Sequence, residues 1–237
     1  MITDAIRGQS AAIGHLRELA SNFLISIKEA TIMSFGAPRT AIRPLFLGII
    51  LLAGNTGQAY ADQPKGWGGG GDGYELSRNE AEKHAGKASG CVKSTGDAAE
   101  GFGTLTQAFA ADAYRGKRLR MTAYVKTDGV EGWSGLWMRI DGKEKTGLAF
   151  DNMMERPVKG TTDWKKYEVV LDVPEDAEAI FFGYLVAGKG KGCVDDIAFD
   201  VVNNDVKTTG LEIAPQDRQG EPLKGLSKEP KNLDFEE

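Results

Sequence analysis

Residues 118–127 read RLRMTAYVKT, and polar and apolar side chains alternate along this stretch. Successive side chains of a β-strand point to opposite faces, so the apolar members of this stretch share one side. They are Leu119, Met121, Ala123 and Val125. The other side carries polar residues and Tyr124, and the pattern therefore predicts a strand with one face in a core.

Seven further stretches between residues 88 and 202 have the length and bounding turn residues of short strands. They are residues 90–94, 104–109, 132–141, 146–152, 165–173, 179–186 and 193–202. Turn residues such as Thr127-Asp128-Gly129 and Gly188-Lys189-Gly190 separate them. Eight strands of this kind predict an all-β fold, a two-sheet antiparallel β-sandwich or jelly roll over residues 87–203.

The N-terminal region has the order of a secretory signal peptide, predicted over residues 33–61. Arg39 and Arg43 precede an apolar run over residues 44–53, and Ala59-Tyr60-Ala61 supplies the small residues of a cleavage site. The run is shorter than the roughly 20 residues that cross a bilayer as a helix. We expect a periplasmic or secreted protein with no stable membrane span after cleavage, the alternative being an uncleaved anchor.

Two other segments flank the predicted domain on its N-terminal side. Residues 1–32 precede an ordinary signal peptide and are predicted to be an extension upstream of the true start, Met33; the alternative is a genuine amphipathic extension. Residues 62–86 contain the glycine run 68–71 and are predicted to form a flexible segment leading into the sandwich.

The charge of the chain argues against a nucleic-acid partner. The net charge is −5, and the first 61 residues hold more basic than acidic side chains, so the remainder is more acidic still. Nucleic-acid binding draws most of its affinity from basic side chains on phosphates. We therefore expect no nucleic-acid partner.

Motifs for catalysis are scarce, and the prediction is that there are no catalytic residues. His84 is the only histidine after residue 61, in a polar stretch. Glycoside hydrolysis needs two carboxyl groups facing one cleft, but the adjacent Asp195 and Asp196 point to opposite sides of a strand. A carboxylate-dependent glycan hydrolase or lyase remains as one alternative function.

An aromatic platform is predicted in residues 132–141. Alternation sends Trp133, Trp137 and Arg139 to the side away from the core, and Gly135 between the two indoles leaves space. Such a surface suits the flat apolar face of a sugar ring. The alternative is that the indoles pack under a loop or against other parts of the protein.

Four segments resemble carbohydrate-binding modules of the galactose-binding-like jelly-roll type, domains that also occur attached to bacterial regulators and enzymes. They are residues 114–117 (YRGK), 123–127 (AYVKT), 160–164 (GTTDW) and 194–197 (VDDI). The resemblance covers about residues 66–202 and implies a sugar site on a concave sheet or in the loops at its end. It adds Tyr124 to the sheet, and Asp151, Asn152 and Arg156 to a strand end. Such modules often hold a structural calcium ion, whose ligands cannot be matched in this sequence, and we expect no other cofactor.

The same resemblance bears on the cysteines and on the tail. Cys91 and Cys193 lie in the first and last predicted strands, expected neighbours in one sheet, and in an exported protein we predict a disulfide; the alternative is two buried free thiols. Residues 204–237 are rich in charge, Pro and Gly and are predicted to be mostly disordered. Within them residues 230–236 resemble an edge strand of such modules and are predicted to dock through Leu233 and Phe235, the alternative being a mobile tail.

The predicted function is an exported, non-catalytic module that binds a saccharide or cell-envelope glycan. The alternative is a structural or protein-interaction domain on the same scaffold, with the indoles covered by the glycine-rich segment or by a protein partner.

Overall fold

The computed structural model describes residues 63–96, 101–219 and 223–237. Within these ranges the chain is all-β, as predicted, and contains no helix. The strands are β1 Gly68–Gly70, β2 Tyr74–Asn79, β3 Ser89–Ser94, β4 Phe102–Ala110, β5 Arg118–Gly142, β6 Lys145–Thr146, β7 Ala149–Asp151, β8 Val158–Asp172, β9 Ala177–Ala187, β10 Lys191–Val202 and β11 Gln216–Asp217. The predicted signal peptide and the extension before it lie outside the described residues.

The strands form two antiparallel layers that share the long strand β5. The first half of β5 pairs with β10 and β8, and β3 and β2 continue this layer, which we call sheet A. The second half of β5 pairs with β9 and β7, and β4 and β1 continue the other layer, sheet B. The predicted two-sheet antiparallel sandwich is confirmed.

The core between the sheets contains the apolar residues that alternation assigned to one side of β5. All of them lack exposed surface: Leu119, Met121, Ala123, Val125, Leu136, Met138 and Ile140. Burying side chains of this size contributes roughly 1.5–3 kcal/mol each for the larger ones. The residues between them point to the outer faces, where the predicted site residues lie.

Strand β5 runs unbroken from Arg118 to Gly142, so the predicted turn at residues 127–129 is wrong. Its pairing with β8 shifts register several times between Val125 and Ser134, and Gly129 has a φ of 58°. Bulges bend and twist a strand without ending it. They let β5 pass from sheet A into sheet B.

The glycine run that was predicted to be flexible forms the edge strand β1 of sheet B. Gly68–Gly70 pair with Thr104–Thr106 of β4. A Cβ atom at Gly69 would lie 1.9 Å from the Thr104 carbonyl oxygen, and Gly69 has a φ of 122°. Only glycine permits this backbone conformation and this close approach.

A disulfide joins Cys91 of β3 to Cys193 of β10, as predicted. The two residues face each other in the antiparallel register, with Cα atoms 4.1 Å apart. The bond links positions 102 residues apart in sequence. In the chain-entropy model, closing a loop of this length stabilises the fold by roughly 4–5 kcal/mol.

The C-terminal residues 203–219 and 223–237 pack along the sandwich, where composition predicted mostly disorder. β11 pairs with β6, and the Ala110 N–H donates to the Ser227 carbonyl oxygen at 2.9 Å. The chain thus follows strand edges that would otherwise present unpaired backbone groups.

Residues 230–236 dock on the sandwich, but as a turn and not as the predicted edge strand. Phe235 is fully buried, and its ring stacks on Trp67 with centroids 5.0 Å apart. Leu233 packs against the same core. Asn232 and Phe235 have φ values of 48° and 56°, which belong to a turn. The end of the chain therefore closes the core between the two sheets.

Candidate functional site

The outer face of sheet B, turned away from the core, carries most of the predicted site residues. Strand register arranges side chains of β4, β9, β5 and β7 in rows across it, and we call this surface the sheet B face. Trp133, Trp137 and Arg139 lie on it, as alternation predicted. One row, the Trp137 row, consists of Thr106, Gly183, Trp137 and then Asn152, which directly follows the last paired residue of β7.

The Trp137 indole extends across the neighbouring strand β9. Its Nε1–H donates to Thr104 Oγ1 on β4 at 2.8 Å. The ring passes Gly183, where a Cβ atom would lie 2.9 Å from Nε1. The glycine beneath it and the hydrogen bond at its far edge fix an aromatic surface in the middle of the face.

Arg139 is held in the next row by a buried ion pair. Its Nε and Nη2 donate to the two carboxylate oxygens of Asp141, each at 2.9 Å. The guanidinium carbon lies 4.8 Å from the centroid of the Phe181 ring. A bidentate pair of this kind is geometrically specific, so the orientation of Arg139 is set by Asp141 and Phe181 together.

Two polar atoms in the Trp137 row have no hydrogen-bond partner within the described part of the chain, Asn152 Nδ2 and Thr106 Oγ1. Asn152 has no exposed surface, and its Oδ1 accepts a hydrogen bond from the Met154 N–H at 3.1 Å. An unpaired buried polar group costs roughly 1–3 kcal/mol, and native proteins contain few of them. The two atoms belong to residues on either side of Trp137.

The sheet B face is covered in this structure by C-terminal residues. Trp137 has no exposed surface, and Arg139 is 5% exposed. Residues 209–219 and 223–227, which we call the strap, supply half-buried aliphatic side chains to the cluster around Trp137: Leu211, Ile213, Leu223 and Leu226. Trp133, at the far margin of the face, is half-buried. The predicted platform is therefore assembled but not open, and the described cover differs from the glycine-rich segment that the sequence suggested.

Tyr124 lies on the outer face of sheet A, away from the other predicted residues. His84 stacks on it with ring centroids 3.5 Å apart, and Lys166 Nζ lies 5.9 Å from its ring centroid. His84 Nδ1 is 2.6 Å from Asp196 Oδ2, and Trp164 meets the His84 ring edge-on. The core separates this aromatic group from Trp137, so the structure does not bring Tyr124 into the same site.

Asp195 holds the loop that carries His84. Its Oδ2 accepts hydrogen bonds from the His84 and Ala85 N–H groups at 2.8 and 3.2 Å, and its Oδ1 accepts one from the Asp196 N–H at 2.8 Å. Burial raises the pKa of the Asp195 carboxyl, against the opposing effect of these hydrogen bonds. The two adjacent aspartates therefore make different contacts. Asp195 accepts hydrogen bonds from backbone N–H groups, and Asp196 contacts the His84 imidazole.

Asp151 and Arg156 form an ion pair at the end of β7. Arg156 Nη2 donates to Asp151 Oδ2 at 2.6 Å and to the Glu168 carbonyl oxygen at 2.9 Å. Asp151 is fully buried and also accepts a hydrogen bond from Thr209 Oγ1. These contacts fasten the loop to β8. Of the residues predicted for this strand end, Asn152 alone lies in the Trp137 row.

Sequence reasoning missed three residues that complete the sheet B face, Thr104, Thr106 and Phe181. The alternation of β4 contains the signal for the two threonines, because Leu105 lies in the core and its neighbours must point outward. No sequence pattern predicts the hydrogen bond between Trp137 and Thr104, because it depends on β9 lying between β4 and β5.

Comparison with known proteins gives one curated relative and several similar folds. No family model matches the chain. The uncharacterized HTH-type transcriptional regulator YbfP of Bacillus subtilis (strain 168) is 43% identical over 166 residues, which are 69% of this chain and 53% of that protein. The chain thus spans about half the length of the curated relative that it matches.

Similar solved structures include carbohydrate-binding modules, as the sequence resemblance predicted. The CBM22-1 xylan-binding domain from Paenibacillus barcinonensis Xyn10C is 15% identical, with a TM-score of 0.45 over 60% of this chain and 90% of its own. TmCBM61 in complex with β-1,4-galactotriose is 14% identical, with a TM-score of 0.40 over 59% and 91%. Likenesses of this size do not locate a ligand on the present chain.

The described ranges contain neither a membrane-spanning helix nor a cluster of metal-ligating side chains. No helix there has the length and apolar character needed to cross a membrane. No group of three or more His, Cys, Asp and Glu side chains is arranged there to hold a metal ion. The structural calcium ion stays a prediction from the resemblance.

Proposed function

We propose that this protein is an exported, non-catalytic module that binds a saccharide on the sheet B face. The Trp137 row carries the proposal, because it sets an indole between two polar residues, Asn152 and Thr106, whose Nδ2 and Oγ1 atoms lack partners in the described structure. A sugar has an apolar ring face and a rim of hydroxyl groups. It would stack on the indole and give both polar atoms a hydrogen-bond partner.

A binding role without catalysis is supported by where the reactive side chains lie. His84 and Asp196 contact each other on the outer face of sheet A, across the core from Trp137. The carboxylate that register places on the sheet B face, Asp141, accepts hydrogen bonds from Arg139 and from the Gly147 N–H at 2.9 Å. A glycosidase needs two carboxyl groups facing one cleft. The face is better suited to recognition than to hydrolysis.

Export is supported by the Cys91–Cys193 disulfide and by the signal-peptide pattern in residues 33–61. Disulfides persist in oxidising compartments such as the periplasm and the extracellular space. A glycan of the cell envelope or of the surroundings is therefore the partner that we propose.

The curated relative also favours recognition. Its name describes a transcriptional regulator, and about half its length is 43% identical to this chain. A regulator has use for a domain that binds a ligand reversibly, whereas turnover of that ligand would remove the signal. The shared domain would then detect a saccharide in both proteins.

The alternative function is a structural or protein-interaction domain. The absence of exposed surface on Trp137 favours it, because a permanently covered indole would simply be part of a second core. In that case the unpaired Asn152 Nδ2 has no role, and removing it should leave every property except stability unchanged.

Calorimetric titration with xylohexaose, cellohexaose, laminarihexaose and β-1,4-galactotriose tests the proposal. We expect saturable binding of at least one of them, weakened roughly 5-fold or more in Asn152→Ser, in proportion to one lost hydrogen bond of about 1 kcal/mol or more. Trp164→Phe, on sheet A, is the matched control and should bind normally. No heat with any member of this panel, or equal affinity in Asn152→Ser, would favour the structural alternative.

A further inference from the structure

We infer that the strap is a displaceable cover that competes with the saccharide for the sheet B face. The inference rests on the proposed function and adds a regulated access step to it. In the resting state the strap would occupy the face, and binding would require the strap to leave.

The strap reaches both edges of sheet B. On the β7 edge the Leu211 N–H donates to the Phe150 carbonyl oxygen at 2.7 Å, and on the β4 edge the Ser227 carbonyl oxygen accepts from the Ala110 N–H at 2.9 Å. Between them β11 pairs with β6 over two residues of each strand. The strap is therefore placed to cover the Phe150 and Phe181 side of the face, opposite the half-buried Trp133.

The strap matches the polar groups of the face at one margin, where Arg218 Nη2 lies 3.5 Å from Asp141 Oδ2, but not around Trp137. The side chains that it lays on the Trp137 cluster are aliphatic and half-buried, and none of them can hydrogen-bond. Asn152 Nδ2 and Thr106 Oγ1, on either side of Trp137, stay unpaired in the described structure with the strap in place. A permanent cover is expected to satisfy the polar groups that it buries. The face is thus better matched to a polar occupant than to the strap.

Residues 228–237, which follow the strap, differ from it because their polar groups have hydrogen-bond partners on the sandwich. Phe235 is fully buried, and its carbonyl oxygen accepts a hydrogen bond from Arg78 Nε at 2.8 Å. The Gln107 side chain makes two hydrogen bonds with the backbone of Lys231, at 2.9 and 2.7 Å. In these contacts each polar group has a hydrogen-bond partner. They would hold the chain end in place while the strap opens as a tethered loop.

A cover of this kind lowers the apparent affinity for the ligand. If only a fraction of molecules has the strap displaced, the apparent Kd equals the intrinsic Kd divided by that fraction. Minor states of proteins are commonly populated at about 0.1–10%. Loosening the strap should therefore tighten saccharide binding, by about 10-fold or more.

The test uses two leucine variants. One is the double variant Leu223→Ser and Leu226→Ser, and the other is Leu211→Ser at the opposite end of the strap. Glu212→Ser is the matched control, because Glu212 is an exposed strap residue. Two quantities are measured: acrylamide quenching of tryptophan fluorescence without ligand, and the Kd for the saccharides named above. We expect the leucine variants to show more quenching and about 10-fold lower Kd, and Glu212→Ser to match the wild type.

Each other outcome overturns the inference in a recognisable way. If the wild type and the leucine variants bind a saccharide equally well, or the variants bind more weakly, the strap does not compete and the proposed function survives. If neither the wild type nor any leucine variant binds a saccharide of the panel, both the proposed function and the proposed competition are wrong. Quenching then shows whether the strap opens at all.

Discussion

Thr106 is the residue at which binding and stability separate most clearly. Its hydroxyl oxygen is buried and lacks a hydrogen-bond partner in the described structure. Valine has nearly the same shape and a high preference for strands. We expect Thr106→Val to unfold at an equal or higher urea concentration than the wild type while its saccharide Kd rises several-fold. A clear loss of stability would show that the hydroxyl has a structural partner.

Gly192 is required because the Tyr184 hydroxyl occupies the place of its side chain. A Cβ atom there would lie 1.8 Å from Tyr184 Oη, and Tyr184 is fully buried. Overpacking of this kind costs about 1–3 kcal/mol. We expect that loss in the unfolding free energy of Gly192→Ala, partly restored by adding Tyr184→Phe.

The control for this substitution is Gly96→Ala. A Cβ atom at Gly96 would have no atom of the described residues within 4 Å, so the effect of Gly96→Ala should stay within about 0.5 kcal/mol. Equal stability of the Gly192 and Gly96 variants would contradict the packing described for Tyr184.

Two aspartates predict opposite pH dependences of stability. Hydrogen bonds from Arg118 lower the pKa of Asp172, so their stabilisation is present above the ordinary aspartate pKa of about 3.9 and is lost as pH falls through the lowered value. Burial raises the pKa of Asp195, so its contribution is present at low pH and is lost as pH rises through the raised value.

Urea midpoints measured between about pH 2.5 and 6.5 check both signs. The stability gap between wild type and Asp172→Asn should shrink toward the acid end. For Asp195→Asn, the stability of the wild type relative to the variant should instead be greatest at the acid end. Parallel curves for the two variants would rule out the assigned shifts.

At the residue scale, alternation sufficed to place Trp133, Trp137 and Arg139 on one face, because the period of a strand is local. It could not show that Tyr124 belongs to the other sheet. Both segments lie in the one strand β5, and only the bulges near Gly129 carry them into different layers. Burial of Trp137 was equally hidden, because the strap is more than 70 residues further along the chain.

Among the elements, β3 and β10 are joined most firmly, because the disulfide adds a covalent bond to their pairing. Removing a disulfide from a small secreted domain typically costs 2–5 kcal/mol. We expect the double variant Cys91→Ala and Cys193→Ala to lose a free energy of that order, measured by urea unfolding. The reduced wild-type protein is the comparison, and unchanged unfolding in both would contradict the pairing.

The elements that the sequence identified are those with internal periodicity. The strands β3, β4, β9 and β10 lie close to the predicted ranges, since alternating or wholly apolar runs bounded by turn residues are strong local signals. β1 and β2 were missed. A glycine strand has no side-chain pattern, and it forms only because β4 offers an unpaired edge that admits backbone without Cβ atoms.

At the scale of the whole molecule, the end of the chain completes the core. Phe235 lies between Trp67 and Gly90, where a Cβ atom would be 2.4 Å from the phenyl ring. Phe235→Ala should lower the free energy of unfolding by about 3–5 kcal/mol. Asp234→Ala, at an exposed neighbouring position, should have little effect. Equal melting temperatures of these two variants would contradict the docking of the chain end.

The two outer faces differ in a way that gives the proposed function its sharpest test. Trp133 and Trp137 lie on the sheet B face, whereas Trp164 lies beside His84 on sheet A and Trp67 is in the core. Fluorescence changes on ligand binding can therefore be assigned to a face by substituting one tryptophan at a time.

Saccharide binding on the sheet B face can be measured by tryptophan fluorescence during saccharide titration of the wild type, Trp137→Phe and Trp164→Phe. We expect a saturable change in the wild type that persists in Trp164→Phe and largely disappears in Trp137→Phe. A flat response to every saccharide, or a change that disappears only in Trp164→Phe, would contradict saccharide binding on the sheet B face.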